Sequence, residues 1–181
     1  WVTSDMMYDI ERRIVRPALE AIAFKAELFT GVLFPATIMT VHGPKVLEFN
    51  ARFGDPETQV YMRLLRNDLL EVLNATVDKR LGEISLEWAP LHAANIVLAS
   101  GGYPDAYERG FEITGLTEAA QMPGTIIFHA GTAQQSGKVV TAGGRVLGAS
   151  STGTPLKMAL EKAYAATDKI QFQGKQMRHD I

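Results

Sequence analysis

The sequence predicts an α+β chain in two parts. Three observations carry that prediction. Residues 4–23 repeat apolar side chains at helical spacing. Residues 30–50 read as two β-rich runs joined by a glycine–proline turn. From about residue 90 onward, short strand-like runs separated by glycines replace the helical pattern. The expected division is therefore 1–90 and 91–181, with antiparallel strands and helices in the first part and a small β-rich second part.

Each element has a local reason. The first helix starts at Ser4 or Asp5 and runs to Ala23, with Met7, Ile10, Ile14, Ala18 and Ile22 setting its period. Pro17 lies inside it and is expected to kink or split it, because its ring removes a backbone donor. A strand is expected over 30–39. The turn at Val41-His42-Gly43-Pro44 returns the chain into a second strand through Glu48, so the two should pair antiparallel. A helix over 57–76 follows, with Tyr61, Leu65, Leu69, Val72 and Leu73 on one stripe. Strands are then expected at 93–100, 110–113, 125–130, 138–142 and 145–150, with Gly143-Gly144 as a hairpin tip. Thr154-Pro155 opens a last helix that buries Leu156, Leu160, Ala163 and Tyr164, and a strand near 170–172 closes the chain.

The run Val46-Leu47-Glu48-Phe49-Asn50-Ala51-Arg52-Phe53-Gly54-Asp55-Pro56-Glu57 holds the densest chemistry. Strand alternation puts Glu48, Asn50 and Arg52 on one face and the apolar Leu47, Phe49 and Phe53 on the other, toward a core. The polar face spans about 13 Å, room for a metal-bound triphosphate beside an anionic substrate. Magnesium takes oxygen ligands, commonly one or two carboxylates plus substrate phosphates. Glu48 offers the carboxylate, Asn50 an amide oxygen, and Arg52 a planar fork for phosphate or carboxylate. Taken alone, Glu-x-Asn-x-Arg also describes a half-exposed strand with a polar outer face. The four residues after it, Gly54-Asp55-Pro56-Glu57, read as a turn into a helix. There Asp55 serves as N-cap, Pro56 takes the first position and Glu57 the first turn. Helix N-termini attract anions, and Asp55 could bind a substrate amine while capping.

Composition excludes several classes. The chain has 181 residues, 46% of them apolar, enough for a core without staples. With no cysteine there is neither a disulfide nor a thiolate zinc site. A net charge of −2 argues against a dedicated nucleic-acid binder. No segment reaches the roughly 18 uninterrupted apolar residues of a membrane span, and no signal peptide is visible. The expected compartment is the cytoplasm. The chain opens at Trp1 rather than methionine, and is expected to be part of something longer. His42, His92, His129 and His179 are scattered without metal-ligand spacing, and each is expected to be structural or at the surface.

Residues 43–59, Gly-Pro-Lys-Val-Leu-Glu-Phe-Asn-x-Arg-Phe-Gly-Asp-Pro-Glu-Thr-Gln, closely resemble the glycinamide ribonucleotide synthetases (phosphoribosylamine–glycine ligases) of the ATP-grasp superfamily. Phe29-Thr30-Gly31-Val32-Leu33, Ser100-Gly101-Gly102-Tyr103-Pro104, Phe128-His129-Ala130-Gly131-Thr132 and 140–147 agree in order. The resemblance covers essentially the whole chain and corresponds to the C-terminal part of such an enzyme. It implies the second half of an ATP-grasp domain followed by a small β-rich domain. It also implies a reaction in which glycine, phosphoribosylamine and ATP give glycinamide ribonucleotide, ADP and phosphate through a glycyl phosphate, in purine synthesis. Under it, Glu48 and Asn50 correspond to ligands of Mg2+ or Mn2+, Arg52 to the group stabilising the transferring phosphate, and Gly54, Asp55, Pro56 and Glu57 to a substrate-positioning loop. The adenine-binding and lid segments, and the phosphoribosylamine domain, would belong to a missing N-terminal portion, so this chain alone is expected to be inactive.

Two departures stand out. After Phe34, Pro35-Ala36-Thr37 replaces the family's more usual alanine-glycine-leucine, and Pro35 favours an edge strand. The 34–39 strand also offers no carboxylate as a further metal ligand. The alternatives are a non-catalytic binding or assembly module that keeps the fold, and an ATP-grasp carboxylate–amine ligase with another acceptor.

Overall fold

The computed structural model describes residues 2–25 and 29–181. The chain forms two compact units, Trp1–Gly54 with Asn67–Leu86, and Asp55–Arg66 with Glu87–Ile181. It passes from the first to the second directly after Gly54, inside the run that carries the densest chemistry.

In the first unit, α1 (Ser4–Ile10) begins at Thr3, whose hydroxyl accepts from the Met6 amide at 3.2 Å. A π turn (Glu11–Val15) leads into α2 (Arg16–Lys25). The Arg16 N–H reaches back to the Glu11 carbonyl. This widened turn lies directly ahead of Pro17, where the ring would crowd an ordinary helical carbonyl. The interruption expected at Pro17 therefore appears as a π turn.

Strands β1 (Phe34–Thr40) and β2 (Gly43–Asn50) form the expected antiparallel pair, as a two-stranded sheet. The first strand starts at Phe34, four residues later than the sequence suggests. Pro35 lies in a strand with an open edge, the place where a missing donor is tolerated. Ala36 pairs with Glu48 and Thr37 with Val46, so Leu47 is the extra residue of a β-bulge. The expected core-facing side is not buried: Leu47 is 68% and Phe49 48% exposed. Helical residues cover the other end of the hairpin, where Pro44 is buried and Arg13 Nη2 donates to the His42 carbonyl at 3.2 Å.

The single helix expected over 57–76 is two helices, α3 (Glu57–Leu64) in the second unit and α4 (Leu69–Val77) in the first. Leu65 is extended and bridges to Trp88. Asp68 then caps the next helix, its Oδ1 accepting from the Leu70 amide at 2.8 Å. A capping signal inside the apolar stripe thus overrides its continuity.

In the second unit, β3 (His92–Ala99), α5 (Leu116–Ala120), β4 (Thr125–His129), β5 (Thr132–Gln135), β6 (Lys138–Thr141), β7 (Arg145–Gly153) and α6 (Leu156–Lys169) follow in order. One antiparallel sheet has the order β3-β7-β4, and β5 pairs with β6 separately. Gly143-Gly144 is therefore not a hairpin tip but the crossing from one sheet to the other. The true hairpin turn is Ser136-Gly137, both at positive φ (52° and 78°), as a two-residue type I′ turn requires. The strands expected at 110–113 and 170–172 reduce to single bridges, Glu112 to Val140 and Thr114 to Gln171.

Central β7 is buried along most of its length. Helix α6 covers one face with Ala159, Ala163, Ala166 and Thr167 fully buried; of the larger expected residues, Leu160 and Tyr164 pack half-buried against the core and Leu156 is exposed. Small side chains let it lie close over Ala94, Ile96 and Leu98, which are buried below it. Strand alternation sends Asn95 and Val97 to the opposite face, where α3 packs on β3 and β7.

Candidate active site

The first unit contributes Glu48, Asn50 and Arg52. Two residues apart on β2, Glu48 and Asn50 point the same way, and Asn50 Nδ2 donates to Glu48 Oε1 at 2.9 Å. This convergence is local: the alternation of a short strand produces it once the bulge at Leu47 has been passed. Ala36 pairs with Glu48 and Phe34 with Asn50, so β1 adds no carboxylate beside them. Among the described residues, no group of three or more His, Cys, Asp or Glu side chains could hold a metal. The pair suits a cation that draws its remaining ligands from phosphate and water. Turned about its last bond, the Asn50 amide would offer its oxygen, beside the Glu48 carboxylate, to such an ion.

Arg52 lies beyond the strand, which ends at Asn50, so it does not extend the polar face. It occupies a bend, is exposed, and its Nη1 donates to the Phe53 carbonyl at 2.7 Å. Gly54 is buried at the end of this unit.

The second unit begins with Asp55, which does not cap the helix that follows. Pro56 takes the N-cap position, with no side-chain cap, and Glu57 opens α3. The Asp55 carboxylate is held elsewhere. Oδ1 accepts from Gln59 Nε2 at 3.1 Å, and Oδ2 pairs with Arg145 Nη2 at 3.1 Å. Arg145 Nη1 also donates to the Asp55 carbonyl at 2.7 Å. Glu57 is half-buried, and burial first, then the Glu57 charge, pushes the Tyr61 phenol up from its ordinary value.

Arg145 stands at a junction of glycine motifs. The Ser100 amide and hydroxyl donate to the carbonyls of Gly144 and Gly143, each at 2.8 Å. Gly144 lies so close to the Tyr103 ring that a Cβ there would fall 2.6 Å from Tyr103 Cε2. The loop at 100–104 and the loop before β7 are thus one packed feature. Beside it lies a cavity of about 360 Å3, lined by Pro56, Val97, Tyr103, Arg145, Met177 and Arg178 among others, a size suited to a small ligand. Sequence reasoning singled out both motifs but not their partner, because Asp55 and Arg145 lie 90 residues apart.

The four histidines are not brought together. His129 Nδ1 bonds to Thr132 Oγ1 at 2.9 Å, and His179 stacks on Tyr164 with centroids 6.4 Å apart.

Residues 1–58 match the family model described as the phosphoribosylglycinamide synthetase ATP-grasp (A) domain, and 93–181 the phosphoribosylglycinamide synthetase C domain. Together they define a portion of an ATP-grasp synthetase. The chain is 44% identical over 173 residues to a phosphoribosylamine–glycine ligase of Caldanaerobacter subterraneus, covering 96% of this chain and 41% of that protein. It is 42% identical over 181 residues to the human trifunctional purine biosynthetic protein adenosine-3, covering 99% of this chain and 18% of that protein. The crystal structure of a phosphoribosylamine–glycine ligase from Thermotoga maritima superposes with a TM-score of 0.80 at 34% identity, over 100% of this chain and 44% of that one. The chain belongs to the phosphoribosylglycinamide synthetase family.

Proposed function

We propose that this chain supplies part of the active site of an ATP-dependent ligase joining glycine to phosphoribosylamine in purine biosynthesis. The observation that carries the reading is the Glu48–Asn50 pair, a carboxylate and an amide 2.9 Å apart in a run that matches the ATP-grasp domain model. These two residues would hold Mg2+ or Mn2+, and the ion would supply neutralisation of phosphate charge.

The rest of the chemistry falls to positioning and electrostatics. The glycine carboxylate attacks the γ-phosphorus of ATP, the bond to ADP breaks, and glycyl phosphate forms. The amine of phosphoribosylamine then attacks the glycyl carbonyl, and phosphate leaves with the electron pair of the broken bond. Arg52 sits on an exposed bend, its Nη1 on the Phe53 carbonyl, and swings to the phosphoryl oxygens as their charge grows. The loop from Gly54 to Glu57 orients the substrate, with the Asp55 carboxylate already braced for that task. The ligase's own domain boundary lies near residue 90, and the enzyme works in the cytoplasm.

The test is glycine- and phosphoribosylamine-dependent ADP release by the full-length protein carrying these residues. Glu48→Gln should lower turnover about 100-fold or more, the scale of losing a transition-state charge contact. An unaltered rate in that variant, or ADP release indifferent to glycine, would overturn the reading. An acceptor other than phosphoribosylamine used as readily would replace it with a different ligase.

A further inference from the structure

We propose that Arg145 is the positioning residue of the Asp55–Glu57 loop, holding Pro56 as one wall of the 360 Å3 cavity so that the loop receives substrate in a fixed place. The proposal deepens the ligase reading and rests on it for the identity of the substrate. The grip itself does not.

Helix α3 carries the loop at its N-terminus, yet no residue of α3 is buried, and no side chain caps it. Five polar atoms of the α3 and β3–β7 layers are buried without a hydrogen-bond partner: Gln59 Oε1, Arg63 Nε, Ser150 Oγ, and both Nδ2 and Oδ1 of Asn95. Asn95 and Ser150 face one another across β3 and β7. With its residues only half-buried and these polar groups beneath it, α3 takes part of its register from polar contacts. Arg63 makes one of them, its Nη2 donating to the Gly124 carbonyl at 2.8 Å, while burial lowers its guanidinium from the ordinary value.

Arg145 supplies what the seam lacks. One guanidinium binds the Asp55 carboxylate and the Asp55 carbonyl together, which fixes both the side chain and the direction of the backbone entering Pro56. The planar fork reaches both acceptors in a fixed geometry, which the shorter reach and single nitrogen of a lysine ammonium reproduce less well. Arg145 is in turn anchored at the start of β7, directly after the Gly143-Gly144 crossing that Ser100 and Tyr103 clamp. The Arg145 and Asp55 side chains are 38% and 42% exposed, so the grip borders solvent.

Amide hydrogen exchange on the 181-residue chain tests the grip. Arg145→Met should speed exchange at Val60, Tyr61 and Met62, the first α3 amides bonded to carbonyls one turn back, about tenfold, the scale of one charge-assisted hydrogen bond at a half-exposed site, and leave the amides of β3 and β7 unchanged. Asp55→Ala should do the same from the other end, and decides the matter if Arg145→Met does not fold. Arg145→Lys should fall between wild type and Arg145→Met. Exchange at residues 60–62 unchanged in Asp55→Ala and Arg145→Met overturns the proposal, whatever the protein's reaction. In the full-length protein, Arg145→Met should raise the KM of glycine or phosphoribosylamine about tenfold while kcat stays within about threefold. Both KM values unchanged would also overturn it. A wild-type protein inactive with glycine defeats the ligase reading instead, and leaves the exchange result to judge the grip.

Discussion

Replacing Gly144 by alanine probes the junction on which the cavity wall is built. A Cβ at 144 would lie 2.6 Å from Tyr103 Cε2 and 3.2 Å from Cγ, and nearer still to Cδ2. Carbon atoms rest about 3.5–4.0 Å apart, so ring or backbone must move by about 1 Å. The backbone is tied by Ser100, which donates to the carbonyls of Gly143 and Gly144 at 2.8 Å each. Moving it would forfeit about 0.5–1.5 kcal/mol per bond, and displacing the ring costs about 1–3 kcal/mol as overpacking. The expected loss is about 2 kcal/mol, a fall in Tm of roughly 5–15 °C for a unit of about 100 residues. Thermal unfolding followed by circular dichroism measures it, repeated in a Tyr103→Ala background. There the added methyl has no ring to meet, and its cost should drop below about 0.5 kcal/mol. A Gly144→Ala protein that melts within about 1 °C of wild type would refute the packing argument.

Other expectations concern half-buried and buried groups. Tyr61 is half-buried, and that burial, then the Glu57 charge, raises its folded pKa above the unfolded value of 10.0. Its contribution to stability is complete below about pH 10 and is lost as pH rises through the folded value. Urea midpoints at pH 8 and pH 11 should show this loss, and Tyr61→Phe should flatten it. Thr125 and Ser151 share a buried hydroxyl–hydroxyl bond of 2.7 Å. Ser151→Ala should cost about 1–3 kcal/mol by leaving Thr125 unpaired, whereas Thr125→Val with Ser151→Ala should lie nearer wild type in denaturant titrations. Ile96 is fully buried beneath α6, and Ile96→Ala should cost about 2–5 kcal/mol in the same titrations.

The parts legible in the sequence are those fixed by neighbours along the chain. The β1–β2 hairpin follows from two β-rich runs about a Gly43-Pro44 turn, and the Glu48–Asn50 pair from strand alternation. The helix opening at Thr154-Pro155 was legible for the same reason, and its buried stripe in part, through Ala163, Leu160 and Tyr164 but not Leu156. Ala159, Ala163 and Ala166 face the sheet because close approach needs small side chains, a fact that belongs to the partner strands. Strand β5 has no apolar alternation in Thr132-Ala133-Gln134-Gln135. Ser136-Gly137 turns it onto β6, so a turn signal outweighs a missing strand signal. The exposure of Leu47 and Phe49 also escaped the pattern, since alternation says which residues share a face and not whether a layer covers it. Least legible was the fate of Asp55. Its type and position suit a cap, but a guanidinium 90 residues away takes its carboxylate.

The central claim, that Glu48 and Asn50 hold the metal of a nucleotide complex, is tested most directly by binding rather than turnover. Electron paramagnetic resonance of Mn2+ titrated with ATP into the full-length protein counts the ion bound. Glu48→Gln should weaken Mn2+–ATP binding at least about tenfold, and Arg52→Met should bind it normally while losing turnover. Equal Mn2+–ATP affinity in wild type and Glu48→Gln would contradict the account.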